Sequence, residues 1–228
     1  MMEDRERNMV NAADPADPES GEQTGTGPAD SYVAIDLETT GIGAKREKIT
    51  EIGMVKVENG AVTDTYHTLV NPGRPIPEHI TELTGIDDDM VKDAPMIQDV
   101  IGEVIAFCGT LPVLGHQIMF DYGFLVQAAV NGKLRFERSG IDTLKLCRKF
   151  MPPEEKKNLA AACAYFHAAQ DTAHRALSDA MAAHELYQAM KRLHLSGNED
   201  LLRLRSSSTR QKRKGRPPRG KNNTCMIC

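Results

Sequence analysis

At 228 residues with 40% apolar and 5% aromatic content, the chain is long enough for one domain of ordinary size plus tails, with a core of Ala, Val, Ile, Leu and Met. No apolar run approaches the ~20 residues that span a bilayer, and the charged start Met1-Met-Glu-Asp-Arg leads to no apolar stretch. No membrane-spanning segment is expected, the amino terminus does not read as a secretory signal, and a cytoplasmic protein is the expectation. The net charge of −4 is unevenly divided: residues 1–30 hold eight acids against two Arg, residues 201–228 hold nine Lys/Arg and no acid, and the body between is acidic. That distribution suits an enzyme that concentrates metal ions and uses its tail for nucleic acid.

Residues 1–30 are rich in Asp, Pro, Gly, Thr and Glu and nearly free of large apolar side chains, so burial cannot offset the entropy of ordering them and a disordered acidic segment is expected. From Tyr32 the texture changes, and a single folded domain is expected over 31–195. Tyr32–Glu38 reads as a first, buried strand. Lys48–Val57 and Ala61–Val70 read as two more, and the Asn59-Gly60 between them predicts an antiparallel hairpin. Pro72–Pro77 is a loop, and 77–85 a short helix stopped by Gly85. A longer helix starts at Asp93-Ala-Pro95, with Ile97, Val100, Ile101, Val104 and Ile105 on one stripe. Leu111–Gly115 reads as a strand and Tyr122–Val130 as a helix. Gly140–Leu146 reads as another strand, with Asp142-Thr143 structural, and 157–166 and 176–193 as helices. A disordered basic tail is expected over 196–228. Three strands with a hairpin, then helices alternating with short strands, make an α/β plan. It is a mixed β-sheet flanked by α-helices, the layer arrangement of ribonuclease H-like folds.

Five residues carry the chemistry. A strand points positions i and i+2 to one face, so Asp36 and Glu38 project side by side. Two such charges are costly together unless a cation binds between them. Asp121 and Asp179 can complete an oxygen-rich nest suited to hard divalent ions. His174 adds the one side chain that titrates near neutral pH. Together these are the parts of a two-metal phosphodiester hydrolase. Residues five apart on a helix lie about 140° apart. His174 and Asp179 therefore converge only if His174 lies at or before the helix start, on a mobile junction, with Asp171 and Thr172 as N-cap candidates. Singly, an Asp-x-Glu is usually a solvated edge, a lone His a surface residue, and Asp121 a simple N-cap. Their joint arrangement reverses those odds.

The runs Ile35-Asp-Leu-Glu-Thr-Thr-Gly41, Gly115-His-Gln-Ile-Met-Phe-Asp-Tyr-Gly-Phe-Leu125 and His174-Arg-Ala-Leu-Ser-Asp179 resemble, in order, the three motifs of the DEDDh 3′→5′ exonucleases. The likeness is to epsilon-type proofreading exonucleases of bacterial DNA polymerase III and to the exonuclease domain of bacterial replicative polymerases. It covers about 31–192 and includes Thr50-Glu-Ile-Gly-Met-Val-Lys-Val57 as a second strand. The family carries Asn after the His of its second motif, where this chain has Gln117. The resemblance implies that Asp36, Glu38, Asp121 and Asp179 hold two Mg²⁺ ions, with Mn²⁺ as a substitute, and that His174 is the general base. It implies that the turn Thr39-Thr40-Gly41 contacts the terminal nucleotide. His116 and Phe120 flank the second motif as candidate contacts to sugar or base, with core packing as the alternative for Phe120.

The tails add less. Cysteines 108, 147, 163, 225 and 228 are odd in number, which argues for reduced, mostly buried thiols. Cys225-Met-Ile-Cys228 is half of a zinc pattern without a second pair and superficially resembles a prenylation box; an unstructured end is preferred. Arg210–Arg219 resembles an AT-hook, whereas a plain polycation gives salt-sensitive backbone affinity. The reading is a metal-dependent exonuclease acting on single-stranded or frayed 3′ ends of DNA in replication proofreading or repair. A DNA polymerase or replisome is its candidate partner, and no membrane is involved. An exoribonuclease on the same fold is one rival, decided by the Thr39–Gly41 turn and a 2′-hydroxyl. A non-catalytic adaptor acting through the tail is another; its signature, a missing carboxylate, is not found.

Overall fold

The computed structural model describes residues 28–171 and 173–194. The readings placed on the acidic segment, on the basic tail with its AT-hook-like run and Cys225–Cys228, and on Thr172 lie outside the described residues. The chain runs β1 (Tyr32–Thr39), β2 (Ile49–Glu58), β3 (Ala61–Leu69), α1 (Glu78–Thr84), α2 (Asp88–Val91), α3 (Ile97–Cys108), β4 (Val113–Gly115), α4 (Met119–Asn131), β5 (Gly140–Asp142), α5 (Thr143–Phe150), α6 (Leu159–Phe166) and α7 (Ala176–His194). The five strands form one sheet in the order β3-β2-β1-β4-β5. β1, β2 and β3 pair antiparallel, and β4 and β5 run parallel to β1. The expected hairpin forms. Asn59 and Gly60 both take positive φ (53° and 81°), as a turn matching the twist of two antiparallel strands requires.

β1 is the sheet's centre, and its two faces are read off its alternation. Val33, Ile35 and Leu37 join Val100, Ile101 and Val104 of α3 and Phe124, Leu125 and Ala128 of α4 in one core. Tyr32 and Ala34 face the other way, under Ala180, Ala183 and Tyr187 of α7. The small residues of α7 let its axis come close to the sheet. On β2 the approach is closer still, because a Cβ at Gly53 would lie 2.1 Å from the backbone of Ala176 and Leu177. The described cysteines Cys108, Cys147 and Cys163 are free and buried.

Several boundaries depart from the sequence reading. The strand expected over Gly140–Leu146 stops at Asp142 and becomes α5. Asp142 Oδ1 accepts from the backbone N–H of Leu144 (3.0 Å) and Lys145 (3.3 Å), which caps a helix rather than continuing a ladder. The long helix begins at Ile97, beyond Pro95, with Asp99 Oδ2 accepting from Met96 N–H at 3.0 Å. α4 begins at Met119, which puts Asp121 inside its first turn. α6 begins after Asn158, whose side chain accepts from Ala161 N–H. α2, a single turn capped by Asp87, had no counterpart in the sequence reading. Among the described residues no helix is long and apolar enough to cross a membrane.

Candidate active site

The β1 face beneath α7 starts apolar at Tyr32 and Ala34 and turns acidic at Asp36 and Glu38, both half-buried. β4 pairs with β1 only at Val33 and Ala34, so the far end of β1 has no strand on that side. Asp121 fills the gap: it is 4% exposed, and its Oδ1 accepts Leu37 N–H at 3.1 Å. The first turn of α4 is thereby fastened to the carboxylate strand.

The fourth carboxylate enters from α7. Asp179 sits in the helix's first turn, 8% exposed. Its Oδ1 accepts from Gln170 Nε2 at 3.0 Å and its Oδ2 from His174 N–H at 2.9 Å. His174 lies two residues before the helix with φ 62°, in the left-handed region that His visits more readily than most residues. That backbone state takes His174 off the helix path, as the 140° argument requires, and its ring is exposed. One ligand-type atom each from Glu38, His174 and Asp179 lie within 4.8 Å of one another. α7 starts four residues beyond the Thr172 read as an N-cap candidate. Its Ala176 N–H is taken instead by Glu51 Oε2 of β2, at 3.0 Å.

The crowding has an electrostatic signature. Burial and then Asp121, Glu38, Asp179 and Glu51 hold the Asp36 carboxyl well above its usual range. Burial and then Asp179 and Glu51 push Glu38 up to about 7, against the pull of Arg175. Burial lifts Asp121 to about 8, opposed by its backbone hydrogen bonds and helped by Glu38 and Asp142. The excess of negative charge and the all-oxygen carboxylate set fit a hard divalent cation.

The other candidates from the sequence lie in the turn after β1 and around the start of α4. Thr39 Oγ1 donates to Gly41 C=O at 2.8 Å. Thr40 Oγ1 donates to Glu47 Oε2 at 2.7 Å and accepts Lys48 N–H at 3.0 Å. Both hydroxyls therefore shape the turn itself, and a Cβ at Gly41 would meet the Glu47 side chain at 3.0 Å. Burial holds His116 below its ordinary value, and its ring nitrogens contact Thr143 Oγ1 (3.0 Å) and the Lys157 carbonyl (2.7 Å). A neutral ring donates from Nε2 to the Lys157 carbonyl, and Nδ1 shares the Thr143 hydroxyl proton with the Gly115 carbonyl, which lies 3.3 Å from that hydroxyl. Phe120 is half-buried, its ring 5.1 Å from that of Phe124. Glu51, Arg175 and Gln170 were missed as site residues. The available signal was Glu51 itself, the one charged residue at a buried position of β2.

The exonuclease (RNase T) family pattern matches residues 33–187. A PolC-type DNA polymerase III of Caldanaerobacter subterraneus is 37% identical over 159 residues, covering 70% of this chain but 11% of that protein. The chain thus spans about a tenth of the length of the PolC-type relatives. The DNA polymerase III subunit epsilon of Aquifex aeolicus is 36% identical over 159 residues, covering 69% of this chain and 78% of that subunit. Among solved structures, exonuclease X in complex with 5′-overhanging duplex DNA superposes with a TM-score of 0.58 at 27% identity. It covers 75% of this chain and 98% of that one. With its mixed sheet, its ribonuclease H-like layers and this match, the chain belongs to the exonuclease family.

Proposed function

We propose that this domain is a 3′→5′ exonuclease of DNA that uses two divalent metal ions, Mg²⁺ in the first instance, to release nucleoside 5′-monophosphates from single-stranded or frayed ends. The observation that carries the reading is the convergence of four carboxylates from β1, α4 and α7 with His174 from the turn before α7, with protonation of Asp36, Glu38 and Asp121 favoured by burial and by neighbouring carboxylates. Asp36, Glu38, Asp121 and Asp179 would hold the ions, which supply positive charge to polarise the attacking water and to offset charge on the departing 3′ oxygen. His174, exposed at the mouth of the cluster, accepts the proton of the attacking water as phosphorus–oxygen cleavage proceeds. The Thr39–Gly41 turn would border the terminal nucleotide, with Phe120 beside it. His116, its nitrogens engaged, would offer a ring face rather than a hydrogen bond. Kinship to epsilon and PolC proteins supports a role beside a DNA polymerase.

The test is a digest of DNA and RNA oligonucleotides of one sequence, each labelled at the 5′ end. The reading expects a ladder shortening from the 3′ end of DNA, with mononucleotides bearing 5′-phosphates as product. Faster shortening of RNA would assign the same centre to an exoribonuclease. Internal cuts or 3′-phosphate products would contradict it.

A further inference from the structure

Glu51 stands directly across the β1–β2 ladder from Glu38, so both side chains project on the α7 face with Cβ atoms ~5 Å apart. It is fully buried, and an ionised carboxylate there is costly unless paired and hydrogen-bonded. Its pairing is dense. Oε1 accepts from Arg175 Nη2 at 2.7 Å and Nε at 3.0 Å, and Oε2 accepts from Nε at 3.3 Å. Oε2 also accepts Ala176 N–H at 3.0 Å, and His67 Nε2 lies 2.7 Å from Oε1. Burial alone would raise this carboxyl, but Arg175, the Ala176 N–H and His67 together hold it below its ordinary value. One rung of the ladder thus carries two carboxylates in opposite states: Glu38 short of positive charge, Glu51 supplied with it. With donors on both oxygens, Glu51 has little capacity left for a cation.

These bonds fix the chain at 175–176, the link between His174 and α7. The same strand face seats the helix a second time at Gly53, where any side chain would strike the Ala176–Leu177 backbone. A non-glycine residue in the left-handed region costs on the order of 1–3 kcal/mol and persists where its surroundings over-determine it. At His174 the surroundings are the Asp179 carboxylate on one side and the clamped Arg175–Ala176 link on the other.

We propose that Glu51 and Arg175 form a positioning clamp that sets where His174 and Asp179 stand, without itself touching substrate or metal. The clamp deepens the exonuclease reading and rests on it. A planar guanidinium fork holds a carboxylate in one orientation where a lysine ammonium does not. Arg175→Lys therefore keeps the charge and loses the alignment.

Arg175→Lys, Glu51→Gln and their combination test it by steady-state kinetics on 5′-labelled single-stranded DNA and by amide hydrogen exchange. kcat should fall roughly 10–100-fold in each single variant, the scale of a displacement near 1 Å at a catalytic group. KM should stay within about threefold, because ground-state binding is untouched. The combination should be no slower than the worse single variant, since the two residues act as one device. The His174 and Ala176 amides should lose roughly tenfold or more in protection while those of β1 keep theirs. A folded Arg175→Lys protein with kcat within about twofold of the parent, unchanged protection at His174, or losses that multiply would each overturn the clamp. Should Glu51→Gln not fold, Arg175→Lys decides alone, since its side chain is 40% exposed and the substitution keeps the charge. If the parent protein degrades no nucleic acid, the functional reading falls and hydrogen exchange still decides the clamp.

Discussion

Glu38 and Asp121 give up their protons near pH 7 and 8 in the folded metal-free protein, burial being the first cause and neighbouring carboxylates the second. In the unfolded chain both ionise near ~4. Between those limits the unfolded state holds fewer protons than the folded one, so stability falls as pH rises through about 4–8. Glu51, held below its ordinary value, acts in the opposite sense. Its contribution is present above about pH 4 and is lost as pH falls through its folded value. Thermal denaturation in chelator should therefore give a lower Tm at pH 9 than at pH 6, with divalent ions removing most of the difference. A metal-free Tm that rises over that interval would contradict the crowded-carboxylate account. At His174 the prediction separates two roles that the geometry brings close, because the ring lies within reach of an ion shared with Glu38 and Asp179. For a general base, His174→Ala should keep metal affinity while turnover falls roughly 10²–10⁴-fold. Loss of metal binding in calorimetry would make it a ligand. Gln117 carries a backbone cost. It takes φ 71°, a state to which Asn is better suited than Gln. Gln117→Asn should raise stability by a few tenths of a kcal/mol in chemical denaturation.

At the scale of elements, two glycines should respond oppositely to the same added methyl. A Cβ at Gly102, inside α3, would meet nothing within 4 Å, so Gly102→Ala should stabilise by ~0.5–1 kcal/mol through helix propensity alone. At Gly53 the methyl would overlap the entry of α7. Gly53→Ala should cost ~1–3 kcal/mol and reduce turnover, because the displaced segment carries His174 and Asp179. Equal and small effects on Tm in both variants would mean that α7 is not seated as described. The β2–β3 hairpin was legible because its signal is local: Asn-Gly between two β-rich runs. The β5–α5 junction was not, since Gly140–Leu146 supports either period and the deciding bond, from Leu144 N–H to Asp142, is made by a side chain. Asp36 and Glu38 were legible from strand parity, and the placement of His174 before α7 followed from helix geometry. Glu51 and Arg175 were not, for they meet across 124 positions and β2 is buried on both faces. No alternation marks which of its residues points at the site.

For the whole molecule, we propose that the division of charge separates affinity, in the basic tail, from chemistry, in the acidic body. Deleting residues 201–228 removes nine Lys/Arg and no acid, and no residue assigned to the metal or to proton transfer. The slope of log K against log salt on single-stranded DNA should flatten by ~0.7 for each phosphate that the shortened chain no longer neutralises. The single-turnover rate at saturating DNA should stay within about threefold, because such contacts serve ground and transition states alike. An unchanged slope would remove the tail from DNA binding. The central claim, that the four carboxylates of β1, α4 and α7 form a cation-dependent hydrolytic centre, is tested most directly at Asp36. Parent protein and Asp36→Asn are stripped of metal, and shortening of 5′-labelled single-stranded DNA from its 3′ end is followed as Mg²⁺ is restored. The account predicts a silent metal-free parent that recovers with Mg²⁺. It also predicts an Asp36→Asn protein whose metal-free Tm is equal or higher, through relief of like-charge repulsion, and whose rate stays orders of magnitude below the parent's at every Mg²⁺ concentration. Near-parental turnover by Asp36→Asn, or parental activity indifferent to chelation, would contradict it.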